Sequence, residues 1–391
     1  MSVKILVAPR RYVQGPGALA ELGSHLRIFG IENPLILASP SALKACRETI
    51  VQSLSQTKVR QTFIEFSREC TFREINRVKE VCLEGEHDAI ISCGGGKTMD
   101  TGRAAAAGFA FNVGVWPPEA IKQLGADVPC IQVPTIAASD AATASLSVVY
   151  NDRGSEEGTV LIRLNPAMVL VDTAVIAQAP VRGLVAGMGD ALATFFEAEA
   201  SHRSGVPAIT GYAATRTALM VTRLCLDILM EYGAKAKQEV ENGVPGEALE
   251  AVVEANILLS GLGYECGGLA AAHAIAGSFT RIHRQFEPAP YHGELVAFST
   301  LTQLIMEGDR AEALDKVLGF MREVGLPATF AHLGLKEVTD EALRIVADHA
   351  SKSLLMLAMP KANRTPGPER IFYDPDEIFR CLKETDAFGR G

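Results

Sequence analysis

The chain of 391 residues has no excess of positive charge: 37 Lys and Arg stand against 46 Asp and Glu, a net charge of −9. Neutralising a phosphate backbone needs a basic face, so no nucleic-acid partner is expected. No apolar run reaches the roughly 18–20 residues of a bilayer crossing. The best candidate, Ala104–Trp116, is interrupted by Asn112 and two glycines. Met1–Arg11 lacks the long apolar core and small-residue cleavage site of a secretion signal, so no membrane association and a cytoplasmic location are expected. No two of the eight cysteines stand at C-x-x-C spacing, which argues against a thiolate zinc site and a disulfide framework. Reduced, mostly buried thiols are expected. Aromatic residues are few, at 6%, while 48% of the chain is hydrophobic and 35 residues are glycine. That composition suits a globular protein of two or three domains with many turns and Ala-rich helices.

Short β-branched runs at Pro34–Ala38, Val59–Phe66, Asp88–Cys93 and Pro129–Val133 predict strands. Between them, Ser41–Leu54 and Phe72–Glu84 carry apolar residues at three- and four-residue steps, the pattern of helices covering a parallel sheet. Ala144–Tyr150 and Thr159–Arg163 flank Asn151-Asp152-Arg153-Gly154 and predict an antiparallel hairpin, an appendage to that sheet. Beyond Asp172 strand-like runs almost vanish, and Ala- and Leu-rich stretches such as Ala208–Glu231, Gly246–Gly261 and Glu294–Glu307 predict helices. The fold class expected is an α/β domain over residues 1–181 followed by an all-α domain over residues 182–391. Lys361–Glu369 reads as a surface loop before a short last helix.

Two features carry chemistry. The buried-strand pattern Asp88–Cys93 runs into Gly94-Gly95-Gly96-Lys97-Thr98-Met99-Asp100 and then a helix. Glycines let backbone N–H groups approach an anion, and the helix turns its positive end to the same point, so the loop predicts a phosphate cradle. It matches neither G-x-x-x-x-G-K-[ST] nor G-x-G-x-x-G. A dinucleotide pyrophosphate is the ligand expected. In the second half, Asp190 stands among apolar neighbours, where it reads either as a helix N-cap or as a ligand. His273 lies in an Ala-rich helix and His292 at the start of another, and each alone suits a hydrogen-bonded or capping role. Together, one carboxylate and two imidazoles make a three-ligand metal site with room for a substrate oxygen.

These stretches, with Tyr12–Leu19, Pro134–Ala137, Leu170–Thr173, Ala179–Arg182, Ala186–Thr194, Ala270–Ile275 and Tyr291–Glu294, resemble the glycerol dehydrogenase branch of the iron-containing, metal-dependent alcohol dehydrogenases. The resemblance implies a dehydroquinate synthase-like architecture, with a Rossmann-like domain for NAD, a helical domain for one divalent metal, zinc or else iron, and the active site between them. It implies Asp190, His273 and His292 as metal ligands, and Gly94, Gly95, Gly96, Lys97 and Asp100 as the pyrophosphate loop. It implies Thr135, Ala138, Leu146 and Tyr150 on the nicotinamide side, and Asp140 beside the substrate, where His273 also acts. Ser39 takes the place where relatives hold the adenosine ribose with a carboxylate, so NADP joins NAD as an expected cofactor. Ala276 and Gly277 stand where relatives carry a second histidine, a role open to His283, and Ala144 replaces a hydroxyl residue. The implied reaction is oxidation of a secondary alcohol of a small polyol such as glycerol, to dihydroxyacetone. Alternatives are the same chemistry on a 2-hydroxy acid, an amino alcohol or a phosphorylated polyol, with Arg281, His283 or Arg284 as cationic partner, a dehydroquinate synthase-type lyase, and a binding protein without turnover. A homo-oligomer, dimer to octamer, is also implied.

Overall fold

A computed structural model describes residues 3–67, 69–113, 119–151, 156–162 and 164–391. The predicted hairpin turn at 152–154, Arg163, and the end of the apolar run at Trp116 lie outside the described residues. The chain divides into two compact units: 8–181 with 238–258, and 1–7 with 182–237 and 259–391. Short segments thus join a unit distant in sequence, which a single cut in the chain cannot express.

The first unit runs β1 (Tyr12–Gly15), α1 (Leu22–Ile28), β2 (Pro34–Ala38), α2 (Pro40–Thr57), β3 (Thr62–Glu65), α3 (Phe72–Glu84), β4 (Ala89–Gly94) and α4 (Gly96–Ala106). Then follow β5 (Phe109–Asn112), β6 (Glu119–Lys122), β7 (Cys130–Pro134), β8 (Leu146–Tyr150), β9 (Glu156–Leu161), β10 (Met168–Asp172) and α5 (Thr173–Ala177). A six-stranded sheet has the order β1-β10-β7-β4-β2-β3, every pair parallel. Its inner strands β2, β4, β7 and β10 are buried on both faces, which is why they read as apolar runs, while the edge strands β1 and β3 are partly exposed. Ile36, Ala38, Ile91 and Cys93 join one core with α1 and α2, and their alternate neighbours Leu35, Leu37 and Ile90 join another with α3 and α4. The predicted strand at Val59–Phe66 is shorter in the fold. α2 ends through Lys58 at φ 59°, and the N–H of Val59 still donates to Leu54 O, so pairing starts at Thr62.

The expected hairpin forms as β8 and β9, but as part of a four-stranded antiparallel sheet, order β6-β5-β9-β8. β5 and β6 are four-residue strands with little apolar alternation, the weakest kind of sequence signal.

The second half is helical: α6 (Val181–Ser204), α7 (Arg216–Glu241), α8 (Glu247–Glu254), α9 (Ser260–Gly267), α10 (Ala271–Ser278), α11 (His292–Glu307), α12 (Ala311–Val324), α13 (Asp340–Ala350) and α14 (Pro375–Arg390). Of these, α8 packs in the α/β unit, where the Glu250 carboxylate accepts from the Gln14 amide at 2.8 Å. The core of the helical unit joins Ile275, Phe279, Phe298 and Phe330 with Val346 and Cys381. Lys361–Glu369 is a mostly exposed loop, and the helix after it spans 16 residues. All eight cysteines are free thiols, seven of them buried. Among the described residues no helix is long and apolar enough to cross a membrane.

Candidate metal centre and phosphate loop

Asp190 caps no helix. It lies inside α6, because Gly189 serves as a crossing point and not as a break. A Cβ on Gly189 would stand 2.9 Å from a Leu326 methyl and 3.1 Å from the Ala297 Cβ. One on Gly293 would stand 2.7 Å from the carbonyl carbon of Ala186 and 3.0 Å from Asp190 N. Here α6 and α11 touch backbone to backbone, which brings Asp190 and His292, each beside one of these glycines, next to each other. Arg182, at the start of α6, donates to both oxygens of Glu294 at 2.7 Å, and the N–H of Tyr291 donates to Glu294 at 2.7 Å. The Arg182 guanidinium also lies 4.8 Å over the Tyr291 ring. Arg182, Tyr291 and Glu294 therefore meet as one clamp on the α6–α11 crossing.

His273, the third residue of α10, completes the group. Its Nε2 lies 3.3 Å from Asp190 Oδ1, and His292 Nε2 lies 3.5 Å from the same oxygen. One ligand atom from each of the three side chains falls within 4.8 Å of the others. Tetrahedral zinc with bonds of about 2.0–2.1 Å holds its ligands about 3.4 Å apart. The donor set suits such an ion and the two separations from Asp190 match that spacing, and three protein ligands would leave a fourth position for substrate.

The charges agree. Burial works against a charged His273 ring, but Glu197 and Asp190 outweigh it and lift its pKa well above the ordinary value. His292 is half exposed, and partial desolvation lowers its pKa with Asp190 opposing, which favours the neutral imidazole a metal requires. Two buried carboxylates thus favour positive charge at this point. The His292 side chain is 53% exposed against 3% for Asp190, so the group opens on the imidazole side.

Glu197, which the sequence reading missed, is fully buried beneath His273. One of its oxygens accepts from the N–H groups of Ala270 and His273 at 2.8 and 2.9 Å, and the other meets His273 Nδ1 at 2.5 Å. Its signal was a glutamate in an apolar helix seven residues after Asp190, hence two turns along the same face. His283 does not stand in for the absent second histidine by contact with this group: it meets Thr280 O at 2.8 Å. Arg281 turns to His349 at 2.8 Å.

In the α/β unit, three of the places predicted for the cofactor, Ser39, the glycine loop and Thr135, gather at the carboxyl ends of three adjacent strands, while Leu146 and Tyr150 lie on β8 of the other sheet. Ser39 N donates to Cys93 O at 3.1 Å, and Thr135 N to Gly94 O at 3.0 Å, so Ser39, the glycine loop and Thr135 lie in a row across β2, β4 and β7. Crevices at the carboxyl ends of parallel strands are the usual ligand sites of such sheets. The N-cap Gly95 has no side chain to satisfy the first amides of α4, and a Cβ on Gly96 would meet nothing closer than 3.7 Å. That is an open helix N-terminus at a phosphate-sized approach. Ser39 Oγ accepts from Ala42 N at 3.3 Å, capping α2. Lys97 pairs with Glu69 at 2.7 Å, and its Nζ lies 5.1 Å from the centre of the Tyr150 ring.

Asp100 is committed elsewhere. It is buried, pairs with Arg103 at 2.8 Å and accepts from Val148 N at 3.2 Å. Burial raises its pKa, with Arg103 opposing. Arg103, itself buried, also donates to the carbonyls of Ala141 and Leu146. The pair therefore ties α4 to the segment carrying Asp140, Leu146 and Tyr150. Thr135, Ala138, Asp140, Leu146 and Tyr150 are all partly buried, and the β7–β8 connection is held further by Asn256, whose amide donates to Ala137 O at 3.0 Å.

Residues 9–173 match the iron-containing alcohol dehydrogenase family. The glycerol dehydrogenase of Pseudomonas putida is 39% identical over 89% of this chain and 90% of its own length. That of Thermotoga maritima is 38% identical over 98% and 97%. The crystal structure of glycerol dehydrogenase from Schizosaccharomyces pombe superposes with a TM-score of 0.86 at 34% identity, covering 100% of this chain and 92% of that one. The chain belongs to the iron-containing alcohol dehydrogenase family. It is an oxidoreductase that works with a metal ion and a nicotinamide cofactor.

Proposed function

We propose that the chain oxidises the secondary alcohol of a small polyol, glycerol to dihydroxyacetone, with a zinc ion held by Asp190, His273 and His292. Iron suits the same nitrogen and oxygen donors. The observation that carries this reading is the convergence of two imidazole nitrogens on the buried oxygen of Asp190. The names of the relatives supply the substrate class. When bound, the ion supplies Lewis acidity to a substrate hydroxyl and the nicotinamide accepts the hydride. The protein binds and orients. Asp190 contributes the negative charge that balances the ion, and the half-exposed His292 borders the side from which substrate enters. The amides of Gly95 and Gly96 and the start of α4 hold the pyrophosphate. Thr135, Ala138, Leu146 and Tyr150 line the nicotinamide, and Asp140 orients the polyol. The Ser39 hydroxyl repels no 2′-phosphate, so NADP is accepted beside NAD. The division of labour is that of a dinucleotide-binding unit, residues 8–181 with 238–258, and a metal-binding unit, residues 1–7 with 182–237 and 259–391. The enzyme works in the cytoplasm as a homo-oligomer.

The test pairs metal analysis with turnover. Asp190→Asn and His273→Ala should lose bound zinc and glycerol oxidation together, read by elemental analysis and absorbance of the reduced nicotinamide across a panel of diols, polyols and hydroxy acids. Full activity in a zinc-free His273→Ala protein sinks the site. A clear preference for a hydroxy acid sinks the substrate.

A further inference from the structure

We propose that Glu197 is the positioning residue that selects Nε2 of His273, and not Nδ1, as the ligating nitrogen. The inference rests on the metal reading above. Only one of the two imidazole nitrogens faces Asp190, and that selection needs a reason in the chain. An ionised carboxylate is an acceptor only, so its oxygen 2.5 Å from Nδ1 keeps the proton on Nδ1 and leaves the Nε2 lone pair directed at Asp190 and His292.

The carboxylate cannot turn away. Its other oxygen accepts from Ala270 N and His273 N, the opening amides of α10, whose N-cap Ala270 has no side-chain cap of its own. Gln303 takes a further amide of the same turn, Ala272 N, at 3.0 Å. Glu197 thus fixes the helix that carries the ligand and the tautomer of the ligand with one group, from two turns along the helix that carries Asp190.

A capping role alone and a tautomer-selecting role differ in one variant. Glu197→Gln keeps an oxygen for the two backbone amides, but turns an NH2 toward Nδ1. The ring must then carry its proton on Nε2, the nitrogen that faces Asp190.

Zinc is titrated calorimetrically into chelator-treated wild type, Asp190→Asn and Glu197→Gln, with the fold checked by circular dichroism and melting. The tautomer of His273 is read by 15N NMR of histidine-labelled protein. The expected result is zinc affinity about 10- to 100-fold weaker in Glu197→Gln, an intact fold, and a shift of the proton from Nδ1 to Nε2. Wild-type affinity in Glu197→Gln, while Asp190→Asn loses zinc, overturns the role of Glu197 and leaves the metal site standing. Wild-type affinity in Asp190→Asn overturns the site itself, and the inference with it. Should Glu197→Gln fail to fold, the zinc-loaded wild type decides: a protonated Nδ1 supports the proposal, and an unprotonated one overturns it.

Discussion

Gly293→Ala is the most searching perturbation of the metal group, because it adds one methyl and removes no ligand. The new Cβ would stand 2.7 Å from the Ala186 carbonyl carbon and 3.0 Å from Asp190 N, with the Ala186 oxygen closer still. Carbon atoms in contact settle at about 3.5–4.0 Å, so α6 and α11 must part by roughly 1 Å or bend. Asp190 Oδ1 and His292 Nε2, now 3.5 Å apart, ride on the two helices that separate. Metal sites tolerate about ±0.2 Å in their bonds, and a 1 Å misplacement costs about 100-fold in rate. The expected outcome is turnover lower by about that factor, zinc lost during purification, and stability lower by about 1–3 kcal/mol. Gly277→Ala is the control. It lies in α10 with nothing within 4 Å of an added Cβ, and should stabilise by about 0.4–1 kcal/mol with zinc retained. Zinc content, urea unfolding and glycerol turnover are measured on both. A Gly293→Ala enzyme with wild-type zinc, stability and turnover would refute the claim that the close crossing builds the site.

Arg103→Met leaves Asp100 buried without its cation. It should destabilise by about 3–5 kcal/mol in urea unfolding and raise KM for the cofactor, since α4 loses its hold on the Ala141 and Leu146 carbonyls. His349 donates from Nδ1 to Ser278 and accepts at Nε2 from Arg281. Burial, then Arg281 and Lys352, lower its pKa. Its unfolded form therefore binds a proton first as pH falls, so stability declines from about pH 6.5 downward until the folded pKa is reached. His349→Gln should flatten that slope in unfolding curves between pH 8 and pH 5. Ser39→Asp places a carboxylate beside the glycine loop and should lower kcat/KM with NADP by at least about tenfold while sparing NAD. Equal losses with both cofactors would remove Ser39 from the ribose site.

The sequence by itself determined the kind of the longer elements. Pro34–Ala38 and Phe72–Glu84 stand in the fold with the limits their patterns predict, because period and burial on two faces are local properties. The change from α/β to helix after Asp172, the strand-to-helix glycine turn and the three metal-site candidates were legible too. The short strands β5 and β6 were not, since four residues carry too little pattern to separate from a loop. Only tertiary structure decided that Asp190 sits inside a helix, that Asp100 is spent on Arg103, and that Glu197 lies under His273. Most of these outcomes rest on contacts between residues far apart in the chain, 76 positions for Glu197 and His273 and 112 for Arg182 and Glu294; Asp100 and Arg103 are only three apart, but the carbonyls that hold Arg103 there lie 38 and 43 positions on. A helix periodicity says which face is buried but not against what. The partner is chosen where two glycines let α6 and α11 meet, and that meeting exists only once the chain has folded.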